Sequence, residues 1–178
     1  MQKVAVALAF VLQGCVVLSY RHPEPAGLAP PVTADVLQYQ LLQPSGLSFG
    51  GKDGLAHAFE RAQRPTQRVF ETATQGLFVQ VAAAEFDPST AALIYGYVDL
   101  SLAAILPYYS DSSGFELRFE VTRDGQKLKT YRYEVHRQLF AWLPAIAVVW
   151  LNLLTTDAED AFAASAEQFF ADLAADGL

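Results

Sequence analysis

At 178 residues, 52% of them hydrophobic and 17% charged, the chain is long enough for one ordinary domain and too apolar to be disordered. Nineteen acidic residues against 12 basic ones leave a net charge of −7, which excludes a basic surface for nucleic acid and a polybasic attachment to anionic lipid. One cysteine excludes an intramolecular disulfide framework, and three dispersed histidines, His22, His57 and His136, argue against a conventional zinc site.

Met1-Gln2-Lys3 is a short, positively charged start that runs into nine uninterrupted apolar residues, Val4 to Leu12, before Gln13-Gly14-Cys15. That is the layout of an export signal. An ordinary signal-peptidase site needs small residues at −3 and −1, whereas cleavage before Cys15 puts bulky Leu12 at −3 and Gly14 at −1. Leu12-Gln13-Gly14-Cys15 resembles the lipobox of bacterial lipoproteins, and the resemblance covers residues 1–15. It implies that the peptidase recognises Leu12 and Gly14, that residues 1–14 are removed as a signal peptide, and that Cys15 becomes an N-terminus bearing diacylglycerol and an N-acyl chain. No other cofactor is expected. Val16, where an aspartate would favour retention at the inner membrane, implies the periplasmic face of the outer membrane in a bacterial cell envelope. The residues alone also permit an uncleaved anchor, because Val16-Val17-Leu18 prolong the apolar stretch, but a span needs roughly 20 residues and Val4 to Leu18 is shorter.

From Cys15 the chain is expected to run as a tether over residues 15–33, since Pro23, Pro25, Pro30 and Pro31 fix φ and remove backbone donors. His22 reads as a solvated residue of that tether. One α+β domain is expected over residues 34–178: an antiparallel sheet of about four to five strands packed with helices, including a capped C-terminal helix. Asp35 to Gln43 reads as a strand stopped by Pro44-Ser45-Gly46. Gly50-Gly51-Lys52-Asp53-Gly54 lacks the spacing and the hydroxyl of a phosphate loop. Lys52 to Gln63 reads as a short helix with Leu55, Ala58, Phe59 and Ala62 on one face. Thr66 to Gly76 fits either a helical turn or the start of a strand, and Leu77 to Phe86 is a strand.

Leu93 to Leu106 alternates and reads as a long half-buried strand broken by Pro107. Phe115, Leu117, Phe119 and Val121 alternate with charged residues, as do Tyr131, Tyr133 and Val135 beyond Asp124-Gly125, which marks a hairpin. Keeping the odd-numbered apolar residues together favours a three-residue turn with Gly125 in the left-handed conformation, and leaves His136 on the polar face. Leu139 to Leu154 is an uncharged stretch between the lengths of a core helix and a membrane span; a core helix is favoured, then a membrane-seated or partner-facing surface, then a crossing. Thr156-Asp157-Ala158-Glu159 has the form of a capping box, and Phe162, Ser165, Ala166, Phe169 and Leu173 form the core stripe of a last helix, with Gly177 just past its end.

Enzyme motifs are sparse: H-E-x-x-H does not occur, and Glu116 and Glu120 alternate with Arg118 as a charge-balanced surface rather than an acid–base pair. The sequence therefore points to a membrane-anchored, non-catalytic binding, assembly or structural module with an envelope protein partner. Trp142, Trp150, Tyr95, Tyr97, Tyr108 and Tyr109 are its candidate partner or membrane surface, because amphipathic rings suit interfaces. The alternatives are an immunity or inhibitor lipoprotein acting on a toxin and, after it, a periplasmic hydrolase with a site assembled from distant residues.

Overall fold

The computed structural model of the chain describes residues 16–22, 35–42, 52–62, 64–86, 107–141, 150 and 155–178. In chain order these contain β1 (Val16–Arg21), β2 (Leu37–Leu41), α1 (Lys52–Arg61), β3 (Thr66–Arg68), β4 (Leu77–Phe86), β5 (Tyr108–Arg123), β6 (Gln126–Ala141) and α2 (Ala158–Ala175). The strands form one six-stranded sheet in the order β1-β6-β5-β4-β2-β3.

This sheet corrects the expected antiparallel arrangement of four to five strands. β2 runs parallel both to β3, from Leu37↔Thr66, and to β4, from Leu37↔Leu77, so the sheet is mixed. Parallel neighbours need a crossover, and α1, lying between β2 and β3 in the chain, supplies one. Alternation within a segment marks it as a strand but carries no record of the neighbour it pairs with.

A second difference lies at the sheet edge. Residues 16–21, read from the sequence as the start of the tether, form β1 and pair antiparallel with β6 from Val16↔Ala141 to Arg21↔His136. The β-branched and aromatic content of Val16-Val17-Leu18-Ser19-Tyr20 suits a strand as well as it suits the end of an apolar leader. The same pairing takes Leu139, Phe140 and Ala141 into β6, so the uncharged stretch opens as strand and not as the expected core helix. Its residues 142–149 and 151–154 lie outside the described residues, as do the alternating segment 93–106, the proline-rich residues 23–33 and the glycine loop 43–51. Among the described residues, no helix is long and apolar enough to cross a membrane.

By contact the chain divides into two compact units. The first comprises residues 1–21, 87–114 and 136–157. Within it the Tyr20 N–H of β1 donates to the Thr156 carbonyl at 3.1 Å, and Arg137 Nε donates to Ser113 Oγ at 3.0 Å.

The second unit, residues 22–86, 115–135 and 158–178, holds a core dominated by aromatic rings. Odd-numbered residues of its strands face one way: Leu37, Tyr39, Val79, Val81, Leu117, Phe119, Val121 and Val135 are all at most 2% exposed. Phe59 of α1 and Phe169 of α2 fill the layer above them, with Phe59 stacked on Tyr39 at 4.4 Å and Phe169 on Phe119 at 4.5 Å between centroids. Fully burying side chains of this size contributes about 1.5–3 kcal/mol each. The helices meet at Gly54, where a Cβ would stand 2.1 Å from the Glu159 carbonyl oxygen.

The expected stripe of α2, Phe162, Ser165, Ala166, Phe169 and Leu173, is buried, and Ser165 Oγ returns a hydrogen bond to the Ala161 carbonyl at 2.9 Å. The helix begins at Ala158, so the capping position falls on Asp157, one residue later than the motif suggested, with Glu159 and Asp160 in the first turn. At the other end, Gly177 N–H reaches Ala174 and Leu178 N–H reaches Leu173, a Schellman closure.

The hairpin joins β5 to β6 as expected, but its turn is shorter. Asp124 (φ +52°) and Gly125 (φ +77°) both occupy the left-handed region, the mark of a two-residue type I′ turn, whereas a three-residue turn was expected. A two-residue turn opposes odd positions to even ones. Phe119 nevertheless meets Tyr133 at 5.6 Å, and Tyr131 meets Phe169 at 5.4 Å, so the odd face is shared and the ladder absorbs one residue along its length.

Candidate functional site

Of the residues singled out in the sequence, Leu12, Gly14, Cys15, Tyr95, Tyr97 and Trp142 lie outside the described residues. Tyr108 opens β5. Tyr109 and Trp150, both in the first unit, are 57% and 56% exposed, as an interface role requires. His57 is exposed on α1, while His22 directly follows β1 and is half-buried rather than free in a tether. His136 is half-buried on β6, in register with Arg21. Glu116 is ion-paired with Arg118 at 3.5 Å and with Arg132 at 3.9 Å, and Glu120 with Lys127 at 2.8 Å, the charge-balanced surface that the alternation suggested. Such exposed pairs contribute about 0–1 kcal/mol.

Two polar constellations emerge that the sequence reading did not assemble. The first lies between β6 and α2. Tyr133 Oη donates to Asp172 Oδ2 at 2.6 Å, and Gln168 Nε2 donates to Asp172 Oδ1 at 2.9 Å. Tyr131 and Lys129 both bond Asp176, and the Lys129 ammonium stands 4.7 Å from the Tyr131 ring centroid. Burial, then hydrogen bonds to these carboxylates, push both phenols well above the ordinary tyrosine range. The bonds from Lys129 and Tyr131 hold Asp176 below the ordinary carboxylate range. Every member has its partner inside the cluster, and the cluster docks the last turns of α2 onto β6. It is a structural clamp.

The second constellation is an open cleft. β3 and β4 both run parallel to β2 on its two sides, so the chain between them must cross β2 to begin β4 in the same direction. Leu37 and Tyr39 of β2 face the helices, which leaves Gln38 and Gln40 on the opposite face, where this crossing passes. The crossing loop is tied down along its path. Val69 N–H donates to the Tyr39 carbonyl at 2.8 Å, and Gln40 Nε2 donates to the Phe70 carbonyl at 2.8 Å while its Oε1 accepts from Gln80 Nε2 at 3.1 Å. At the far end Gly76 (φ +77°) exchanges two hydrogen bonds with Asp124.

Between these ties the loop bounds a cleft of about 540 Å³, lined among others by Gln38, Phe70, Glu71, Thr72, Thr74 and Gln75. The Phe70 ring is 83% exposed, and the Arg68 guanidinium stands 5.7 Å from its centroid. A single exposed apolar ring is ordinary on a protein surface; Phe70 matters here because it borders the cleft, where its face is accessible to a ligand. The sequence carried a partial signal for this: Phe70 is a single aromatic residue before Glu71-Thr72-Ala73-Thr74-Gln75-Gly76, a run with no other large apolar side chain to pack beside it.

Among the described residues, no group of three or more His, Cys, Asp or Glu is placed to hold a metal ion. No family model matches the chain, and the search of curated proteins found no match to it.

Proposed function

We propose that the chain is an envelope lipoprotein, anchored through acyl groups on Cys15, whose folded part is a non-catalytic binding module. The observation that carries this reading is the lipobox-like Leu12-Gln13-Gly14-Cys15 after a cationic start and nine apolar residues, ending on the sole cysteine of the chain. Each buried methylene contributes about 0.8 kcal/mol, so one acyl chain holds marginally and a diacylglycerol with an N-acyl chain holds firmly. The outer membrane, facing the periplasm, is favoured over the inner one.

The start of β1 at Val16 supports the reading in a particular form. The anchor is joined to a hydrogen-bonded strand without an intervening spacer, so the first unit stays beside the bilayer while the exposed rings of Tyr109 and Trp150 belong to that same unit. A binding role rather than a catalytic one is supported by the described ionisable clusters: Tyr131, Tyr133 and Asp176, which have shifted titration, are consumed in docking α2, and Glu116 and Glu120 are ion-paired. The test is membrane fractionation of a Cys15→Ala variant against the parent chain in a bacterial host. The parent is expected in the membrane fraction and the variant in the soluble or unprocessed pool; identical distributions contradict the proposal.

A further inference from the structure

We propose that the cleft beside Phe70 binds an uncharged glycan chain, a pyranose ring lying against Phe70 with its hydroxyl groups directed to the amides and hydroxyls around it. This names a ligand class for the binding module but rests on the cleft alone, and it stands whether or not Cys15 is acylated.

Gln38 and Gln75 each present an amide donor and acceptor, and Thr72 and Thr74 each present a hydroxyl that does both. Sugar hydroxyls also donate and accept, so each can be satisfied by such a group in either sense. The ring meets the other half of the ligand: the weakly positive C–H face of a pyranose complements the negative face of an aromatic ring. An open, shallow cleft of about 540 Å³ leaves room for a sugar ring whose chain continues into solvent on either side.

The same lining disfavours other classes. Glu71 and Arg68 bring one charge of each sign beside the ring, which favours neither an anionic nor a cationic ligand. A fatty chain needs predominantly apolar walls, whereas amides, hydroxyls and a carboxylate share this lining with Val69 and Ala73. A protein hot spot needs a surround of apolar side chains to exclude water from the central ring, and here only the small Val69 and Ala73 join Phe70 in the lining. Addition of a peptide strand to the sheet edge is opposed by β3 itself, which is three residues long and preceded by Pro65. Hydrogen bonds at Val69, Phe70 and Gly76 fix both ends of the loop, which lowers the entropy lost on binding.

The experiment titrates the full chain, in detergent, with a soluble tetramer of β-1,4-linked N-acetylglucosamine and, separately, of β-1,4-linked glucose, reading backbone amide shifts by NMR. Saturable shifts on residues 69–76 with at least one tetramer are expected, in the weak, roughly millimolar range of a shallow site. Phe70→Ser should weaken binding at least tenfold and Gln75→Ala severalfold, with unchanged circular dichroism because both side chains are exposed. A preference for the acetylated tetramer points to cell-wall glycan as the source, and equal binding points to a general glucan; either supports the class. Absence of saturable shifts with both tetramers, or equal affinity in Phe70→Ser, overturns it. So does Phe70-dependent crosslinking to an envelope protein without sugar binding.

Discussion

Gly76 and Asp124 hold each other by two hydrogen bonds: the Gly76 N–H donates to Asp124 Oδ1 at 2.9 Å, and the Gly76 carbonyl accepts from the Asp124 N–H at 3.0 Å. One residue ends the loop around the cleft and the other turns the β5–β6 hairpin, so a single pair fixes both. Asp124→Ala removes the side-chain acceptor and places alanine at φ +52°, where it is strained. A loss of about 1–3 kcal/mol in urea unfolding is expected, while Asp124→Asn, which keeps an acceptor and tolerates that φ, should lose less than half as much.

Gly54→Ala offers a test of sign. In an exposed helix the change would stabilise by about 1 kcal/mol. Here the new Cβ would stand 2.1 Å from the Glu159 carbonyl oxygen and within 2.8 Å of the Glu159 Cα, backbone that cannot swing aside. Separation of α1 from α2 is expected, with a loss of about 1–3 kcal/mol or more by thermal unfolding. A more stable variant would contradict the packing.

The tyrosine clamp makes stability depend on alkaline pH. Tyr131 and Tyr133 hold their protons in the folded state well above the ordinary value of 10.0, first through burial and then through the bonds to Asp176 and Asp172. The unfolded chain loses those protons near pH 10, so it binds fewer than the folded chain there, and folding stability falls as pH rises beyond about 10. Below that range these groups contribute fully. Chemical unfolding between pH 8 and pH 11 should show the decline, and Tyr131→Phe with Tyr133→Phe should flatten it while lowering stability near neutrality by about 1–3 kcal/mol through the lost charge-assisted bonds.

Legibility in the sequence followed locality. The alternation of Leu77–Phe86 and of Phe115–Val121 and the helical spacing of Leu55, Ala58 and Phe59 are local patterns, and each lies where it was expected. The parallel pairing of β2 with β3 and β4 depends on partners remote in the chain, and no short pattern records it. β1 was hidden because Val16-Val17-Leu18 extends an apolar leader as naturally as it forms an edge strand. Turn length alone does not determine which residues of β5 and β6 share a face: Asp124-Gly125 forms a two-residue turn although the apolar odd positions of both strands stay together. Among the aromatic candidates, Tyr109 and Trp150 are exposed, whereas Phe70 belongs to a cleft made by a crossing loop, which only the strand order reveals.

Trp150→Ser and Tyr109→Ser should leave the unfolding midpoint within about 0.5 kcal/mol of the parent, since both rings are more than half exposed. If these rings serve a partner or lipid contact of the anchored unit, the double variant should release more readily from its native membranes or lose capture of its partner in pull-down, with folding intact. Unchanged behaviour in both assays would remove them from the surface.

The central claim rests on one sulfur atom, and intact-mass analysis of the full-length gene product isolated from bacterial membranes tests it most directly. The expected species lacks residues 1–14, begins at Cys15, and is heavier than the bare polypeptide by a diacylglycerol and an N-acyl group. A chain that retains residues 1–14, or that begins at Cys15 with an unmodified thiol, contradicts the account.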